Sequence, residues 1–330
     1  MTYARTRSIA VDEIPIIDAS ALQGGNAAEV AAVGTALRQA AQGPGFFYVR
    51  NHGVPRSLID AVFAASRDFF SLPPEQKQRV KINDLHRGFI AVGGAKMYDK
   101  ARVDLKESYL WGLELPPDDP DVRAGTPLMG PNNWPDFSPA FRKTLYDYYE
   151  AVGDCGRRLL GGLAVSLDVP RDFFEPRFAK PLARGSLIYY PPQPPHMGEE
   201  QFGVAPHTDY GGITLLYQDD TGGLQVRGRA GEWLTAHPIP DTFVINIGDL
   251  MARWTNDRWV STLHRVVNPD TAAGRSKRRQ SLAFFHQPNW FAEIVCLETC
   301  LAPGELPRYS PVLSGPYLMS KFKSTVEKAA

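Results

Sequence analysis

The chain has 330 residues, of which 43% are hydrophobic, and its 36 basic residues balance its 36 acidic residues. A chain of this length and apolar content can bury a substantial core, in one large domain or in two fused units. The charge is balanced and forms no basic or acidic block, which disfavours partners that bind by electrostatics. We therefore expect neither a nucleic acid nor a membrane surface as a partner.

Two further features concern the compartment. The N-terminal stretch "MTYARTRSIAVDEIP" lacks the apolar run of a signal peptide, and no stretch approaches ~18 uninterrupted apolar residues. The three cysteines, Cys155, Cys296 and Cys300, are too few for a disulfide framework. We therefore expect a cytoplasmic protein whose cysteines are free thiols.

The first half of the chain has the patterns of helices around a few strands. Asn26 can cap a helix that ends near Gly43, and a short strand follows over residues 46–49. A second helix is predicted over residues 55–71, because prolines follow it. Over residues 139–167 apolar side chains recur every three or four positions, which is typical of a long helix packed on a core.

The pattern changes after Pro170, where short apolar or alternating runs are separated by turn residues. Runs such as "SLIYYPP", "GITLLYQDDTGG" and "RRQSLAFF" favour an antiparallel sandwich or barrel. Asn256 and Asp257 are a candidate hairpin turn, residues 271–278 a polar loop, and residues 317–328 a terminal helix. Because no linker separates the two halves, we expect one cooperative unit.

The stretch "APHTDYGGITLLYQD" places His207 and Asp209 two positions apart at the start of a predicted strand. Side chains at positions i and i+2 of a strand point to the same face, so both groups can reach one metal ion. His264, on a later predicted strand, offers a third ligand. Two histidines and one carboxylate form a facial triad with three open positions, which suits Fe(II) in oxygenases. The other five histidines are expected at the surface or in local hydrogen bonds.

A second pair strengthens this interpretation, because a lone His-x-Asp is a common chance match. Arg279 and Ser281, in "RRQSLAFF", are again at positions i and i+2 of a predicted strand. They can present a guanidinium fork and a hydroxyl to one carboxylate. Arg278 is the adjacent alternative, but it should face the opposite side of that strand.

Taken together, His207-x-Asp209, His264 and Arg279-x-Ser281 resemble the signature of the Fe(II)/2-oxoglutarate dioxygenases, and the isopenicillin N synthase-like branch is the nearer likeness. The likeness covers most of the chain, since "GFFYVRNHGVP", "VINIGDL" and "LHRVVNP" follow in the order of that branch. It implies a mainly β fold, a double-stranded β-helix or jelly-roll core with flanking helices. The implied parts are an N-terminal region over 1–125, a long helix over 126–180, the jelly-roll domain over 181–290 and a C-terminal extension over 291–330.

The resemblance also implies a reaction and a role for each of these residues. His207, Asp209 and His264 bind Fe(II), and Arg279 and Ser281, together with Tyr190 in "YYPP", hold the distal carboxylate of 2-oxoglutarate. The implied reaction couples oxidative decarboxylation of 2-oxoglutarate by O₂, to succinate and CO₂, to oxidation of a small molecule. The sequence does not name that substrate. No catalytic residue beyond the metal ligands is implied, and we expect a monomer or a weak homo-oligomer.

The sequence departs from the family pattern in two places. Ile188 stands where plant members often have asparagine, so one polar contact to the co-substrate is expected to be missing. Residues 87–115 match only loosely, although in this branch the region helps to cover the substrate pocket. Side chains there either meet the substrate or belong to a solvated face with a few buried aromatics, namely Lys96, Tyr98, Arg102, Tyr109 and Trp111.

Two alternatives remain at this level. The first is an oxidase like isopenicillin N synthase or aminocyclopropane carboxylate oxidase, which uses O₂ without 2-oxoglutarate. The second is a non-catalytic small-molecule receptor, which a complete triad disfavours because a receptor has no need of an open iron site.

Overall fold

The computed structural model describes residues 14–93, 104–192, 203–268 and 276–327. The described strands are β1 Ile16–Asp18, β2 Phe46–Arg50, β3 Gly88–Ile90, β4 Glu107–Gly112, β5 Arg184–Tyr190, β6 Val204–His207, β7 Ile213–Gln218, β8 Leu224–Arg227, β9 Trp233–Thr235, β10 Phe243–Ile247, β11 His264–Val266, β12 Arg279–His286, β13 Glu293–Ile294 and β14 Val312–Leu313. The described helices are α1 Ala27–Gln42, α2 Arg56–Phe70, α3 Pro74–Gln78, α4 Pro120–Arg123, α5 Pro139–Ser166, α6 Asp249–Trp254 and α7 Ser314–Glu327.

Two sheets of unequal size form the core. The large sheet has eight strands in the order β1-β2-β10-β7-β12-β5-β4-β3, and the small sheet has four in the order β6-β11-β8-β9. Apart from the parallel pair β1 and β2, the neighbouring strands in both sheets are antiparallel. This is the predicted jelly-roll core, and β1 to β4 extend its large sheet with strands from the first half of the chain.

The large sheet is covered on both faces, which explains why its central strands read as continuous apolar runs. All five residues of β10 are buried. One face packs on the long helix α5, where the rings of Tyr149 and Phe284 meet at 5.3 Å. The other face turns towards the small sheet, and a second apolar cluster that includes Phe46, Leu224 and Val244 joins the two. A strand that is buried on both faces lacks the alternation of apolar and polar residues that a half-exposed strand shows.

The predictions for the first and the long helix are confirmed, and the terminal helix begins earlier than predicted. The Asn26 side chain accepts hydrogen bonds from the amides of Ala28 and Glu29, and the Glu29 side chain accepts one from the Asn26 amide, which completes a capping box. Gly43 follows the last residue of α1. The apolar stripe predicted for residues 139–167 is buried along α5, including the free thiol of Cys155. The terminal helix α7 begins at residue 314, three residues before the predicted start at 317.

The hairpin predicted at Asn256 and Asp257 is wrong. These residues follow the C-terminus of α6, and β11 begins only at His264. Both have positive φ, 54° and 62°. A type I′ hairpin turn requires the left-handed backbone conformation, which Asn and Asp tolerate well. The chain reversal that follows this helix requires the same conformation. The local pattern therefore indicates a turn correctly, but the element before it is a helix.

The candidate substrate-contacting residues of the 87–115 region divide into two groups. Lys96, Tyr98 and Arg102 lie outside the described residues, as does most of the polar loop predicted for 271–278. Tyr109 and Trp111 on β4 are fully buried in the apolar core. The Tyr109 hydroxyl donates a hydrogen bond to a backbone carbonyl, that of residue 133, at 2.7 Å. These two rings therefore belong to the core and do not meet a substrate.

Within the part of the chain that the structure describes, no helix combines the length and the apolar character needed to cross a bilayer.

The close packing of β5 on Trp111 gives a first testable prediction. A Cβ at Gly185 would clash with the indole ring of Trp111, which is fully buried and cannot move aside. We expect Gly185→Ala to lower the free energy of unfolding by about 1–3 kcal/mol, the usual cost of overpacking. Gly153→Ala on α5 is the matched control, because its Cβ would lie 3.8 Å from Phe284. Urea unfolding should show the control to be neutral or stabilised by up to ~1 kcal/mol; equal stability of Gly185→Ala and wild type would contradict the packing.

Candidate active site

The small sheet brings the three predicted metal ligands to one point. β6 and β11 are antiparallel neighbours, and His207 and His264 are directly opposite each other. Asp209 lies just beyond the end of β6, and its Oδ1 is 3.8 Å from the Nε2 atom of each histidine. One ligand atom from each residue lies within 4.8 Å of the others. This spacing is small enough for one ion to contact all three.

Backbone carbonyls fix the orientation of both imidazole rings. The Nδ1 atom of His207 is 2.8 Å from the Ala205 carbonyl, and that of His264 is 3.1 Å from the Thr262 carbonyl. Because a carbonyl can only accept, each Nδ1 carries the proton and each Nε2 presents a lone pair to the common point. Metal-binding histidines are usually held in this way.

Two polar side chains of the large sheet hold the Asp209 carboxylate. The Asn246 amide on β10 donates to Oδ2 at 2.8 Å, and the Thr214 hydroxyl on β7 donates to the same oxygen. Oδ1 is thereby left to face the histidines. Sequence reasoning missed both residues as parts of the site. The available signal was a polar residue inside a buried apolar strand, which is uncommon without a partner.

The charge states suit a divalent cation. Burial, with a further contribution from His264, lowers the pKa of His207 to about 3, so its ring is neutral at neutral pH. Burial alone would raise the pKa of Asp209, but the two imidazoles and the hydrogen bonds from Thr214 and Asn246 bring it below its ordinary value. Two imidazoles with one ionised carboxylate form the donor set of a non-haem Fe(II) site.

The predicted carboxylate-binding pair lies on the large sheet. Arg279 opens β12 and is opposite Tyr190 on β5, with the Arg279 Cζ atom 4.7 Å from the centre of the tyrosine ring. The guanidinium donates to Ser281 Oγ at 3.4 Å, to Gln218 Oε1 at 3.2 Å and to the Gly222 carbonyl. Gln218 was not foreseen, although it is a further polar residue in a buried strand.

Arg279 is buried and has no negatively charged partner in the described part of the chain. It is 5% exposed, and no acidic side chain of the described residues forms an ion pair with it. A buried cation without a counter-ion is costly, so a carboxylate from a ligand would complete the arrangement. Arg278 is exposed, which agrees with its predicted position on the other side of the strand. Ile188, opposite Ser281, supplies no polar group here.

The two constellations face the same interior space. Tyr190 packs in a small apolar cluster with Val204 and Val266. Val204 begins β6 and Val266 ends β11, the two strands that carry His207 and His264. The end of the large sheet that holds Arg279 therefore closes directly against the strands of the triad.

Of the five remaining histidines, His52 and His237 agree with the expectation, His86 is half-buried against Phe322, and His286 departs from the expectation. His52 accepts a hydrogen bond from a backbone amide at 3.1 Å, His237 is exposed, and His196 lies outside the described residues. His286 is buried, and neither ring nitrogen has a hydrogen-bond partner among the residues that the structure describes. Its ring stacks on Phe178 at 5.0 Å, and burial lowers its pKa to about 3. The expectation of a satisfied or exposed histidine is wrong at this position.

Comparison with known proteins places the chain in a family. Residues 14–137 match the family described as the N-terminal region of a non-haem dioxygenase in morphine synthesis, and residues 186–288 match the 2OG-Fe(II) oxygenase superfamily. A 2-oxoglutarate-Fe(II) type oxidoreductase of Emericella nidulans, hxnY, is 34% identical over 322 residues, which cover 96% of this chain and 91% of that protein.

Solved structures agree with this placement. A full-length Neurospora crassa protein, crystallised in complex with alpha-KG and thymine, superimposes with a TM-score of 0.86 at 30% identity, and the match covers 96% of this chain and 99% of that one. JOX2, in complex with 2OG, Fe and JA, gives a TM-score of 0.76 at 30% identity, with coverage of 98% and 90%. These likenesses support the use of 2-oxoglutarate and give no support to the oxidase that works without it. The chain belongs to the 2-oxoglutarate–Fe(II) oxygenase superfamily and is a dioxygenase that uses Fe(II), 2-oxoglutarate and O₂ to oxidise a small molecule.

Proposed function

We propose that His207, Asp209 and His264 hold the Fe(II) ion of this dioxygenase. The observation that carries the proposal is the convergence of their ligand atoms within 4.8 Å, with both Nδ1 atoms tied to carbonyls. Asn246 and Thr214 act as positioning residues, because they hold one oxygen of Asp209 and aim the other at the ion.

We further propose that Arg279 and Ser281 bind the C5 carboxylate of 2-oxoglutarate, with Tyr190 as a third contact. The support is the buried guanidinium without a counter-ion, which shares its face of β12 with the serine hydroxyl. A fixed fork between two sheets suits a small invariant diacid better than a variable substrate. Gln218 and the Gly222 carbonyl hold the guanidinium in place before the ligand arrives.

The proposed roles of the metal ion and of the protein in the reaction follow from these positions. Bound Fe(II) supplies the O₂ chemistry that couples oxidative decarboxylation of 2-oxoglutarate, to succinate and CO₂, to oxidation of the substrate. The chain orients both small molecules in the space between the sheets and limits the entry of water, since the triad and Arg279 are largely buried.

Within the superfamily we assign the chain to the isopenicillin N synthase-like branch, on the order of its sequence motifs. The cytoplasmic location, the absence of a nucleic-acid partner and a monomeric or weakly oligomeric state stay predictions from composition.

Anaerobic titration tests the proposed function directly. Adding Fe(II) and then 2-oxoglutarate to the purified protein should produce a metal-to-ligand charge-transfer band, and admitting O₂ should release succinate. The same titration with Zn²⁺ in place of Fe(II) is the control and should give no band. A wild-type protein that gives neither a band nor succinate would contradict the proposal.

A further inference from the structure

A second buried arginine lies at the opposite end of the sheet face that carries Arg279. Arg184 begins β5 and is paired with Phe285 on β12, as Tyr190 at the far end of β5 is paired with Arg279. Arg184 and Tyr190 are six residues apart, an even number, so their side chains share one face of the sheet. At about 3.3 Å per residue the two arginines stand roughly 20 Å apart along the strand. Two different anions can therefore be bound at the two ends.

A neighbouring arginine adds to the positive charge at this end. The Arg87 guanidinium lies so close to Gly112 that a Cβ at this glycine would overlap with it. Gly112 is the cross-strand partner of Arg184. Arg87 donates to the carbonyls of Leu85 and Leu128, both at 3.2 Å. Both Nη atoms of Arg87 are thus already engaged.

Arg184 has no such partners. It is 8% exposed, and within the described ranges its buried Nε atom has no acceptor and no acid forms an ion pair with it. Burial and the adjacent Arg87 lower its pKa to about 9, and the opposing influence is that of Asp209. Arg184 shares its sheet face with Tyr190, and Tyr190 packs against Val204 and Val266 on the two strands that carry His207 and His264, so the guanidinium is on the side of the sheet where the metal triad lies.

Aromatic rings surround this cation. The Arg184 Cζ atom is 4.7 Å from the ring centre of Phe322 on α7 and 5.9 Å from that of Phe285. Phe322 in turn stacks on His86 at 4.9 Å and lies 6.2 Å from Tyr210, the residue after one of the metal ligands. The C-terminal helix thus covers a site that combines one cation with apolar walls.

We propose that Arg184 anchors the carboxylate of the primary substrate, so that the enzyme oxidises a small monocarboxylic acid with an apolar body. This inference rests on the proposed function, because it takes the triad as the place of reaction. Both Nη atoms of Arg87 already donate to carbonyls, whereas the Arg184 side chain has no hydrogen bond among the described residues, so Arg184 offers the whole guanidinium fork that matches one carboxylate. An unpaired buried arginine costs stability, and a bound acid offsets that cost.

The test compares acids with their uncharged counterparts. Benzoate, phenylacetate and hexanoate, each beside its primary amide, are titrated calorimetrically into anaerobic protein saturated with Fe(II) and 2-oxoglutarate. We expect wild type to bind at least one acid ~30-fold or more tightly than the matching amide, and Arg184→Met to lose that preference. Arg184→Lys, which keeps the charge but not the fork, should fall between them. Arg38→Met, at an exposed surface pair, is the control.

Two readouts separate this inference from the proposed function. In Arg184→Met the charge-transfer band should form at the wild-type 2-oxoglutarate concentration, and the melting temperature should be no lower than that of wild type, because an unpaired buried charge has been removed. If wild type gives the band but binds no acid in preference to its amide, or if Arg184→Met keeps the preference, the inference is overturned while the proposed function stands. A wild type without the band would overturn the proposed function itself.

Discussion

Asp209→Ala is expected to abolish iron-dependent turnover and to weaken Fe(II) binding at least ~100-fold. Loss of a residue that only orients a ligand commonly costs ~10–100-fold in metal affinity, so loss of the ligand itself should cost more. The variant removes the one carboxylate and leaves two imidazoles whose ring centres are 4.2 Å apart. The measurements are anaerobic Fe(II) titration and succinate release.

The fold of this variant should survive. Asp209 is not part of an apolar core cluster, and the groups that lose an acceptor are the side chains of Thr214 and Asn246. Asp168→Ala is the matched control, because that carboxylate forms an exposed ion pair with Arg38. Wild-type Fe(II) affinity in Asp209→Ala would rule out the assignment of this carboxylate as a ligand.

Arg279→Ala is expected to raise the apparent dissociation constant for 2-oxoglutarate at least ~30-fold, while Fe(II) binding is retained. Removing one partner of a buried, charge-assisted pair typically costs about 2–5 kcal/mol. The two histidines proposed as iron ligands are on the small sheet and Asp209 lies just beyond it, whereas the hydrogen bonds of Arg279 go to Ser281, Gln218 and Gly222. The measurement is a titration of the Fe(II) protein with 2-oxoglutarate. The charge-transfer band reports binding and gives the change in the dissociation constant.

The adjacent residue offers a close control for this experiment. Arg278→Ala removes the same charge one position away, but from an exposed side chain. It should titrate like wild type. If Arg279→Ala also titrated like wild type, the pair with Ser281 would have another role, and Arg184 would be the next cation to consider for 2-oxoglutarate.

The elements that could be predicted are those set by neighbours along the chain. The capping box at Asn26 and the apolar stripe of α5 depend on residues three or four positions apart, and the structure contains both. The same holds for the i, i+2 pair Arg279 and Ser281, which share one face of β12 because strand geometry fixes it. Where the local pattern is common to two structures, at Asn256 and Asp257, the prediction named the wrong one.

The sequence by itself determined the residue types of the metal triad, the Arg-x-Ser pair and the order of motifs that carries the family likeness. Tertiary structure alone decided which distant strands lie together, because sheet register depends on contacts between residues far apart in the chain. It placed His264 opposite His207, and it brought Asn246 to Asp209. It also placed a second buried arginine, Arg184 on β5, next to Phe322 on the C-terminal helix α7. These two elements are far apart in the chain, so no local sequence pattern indicates their contact.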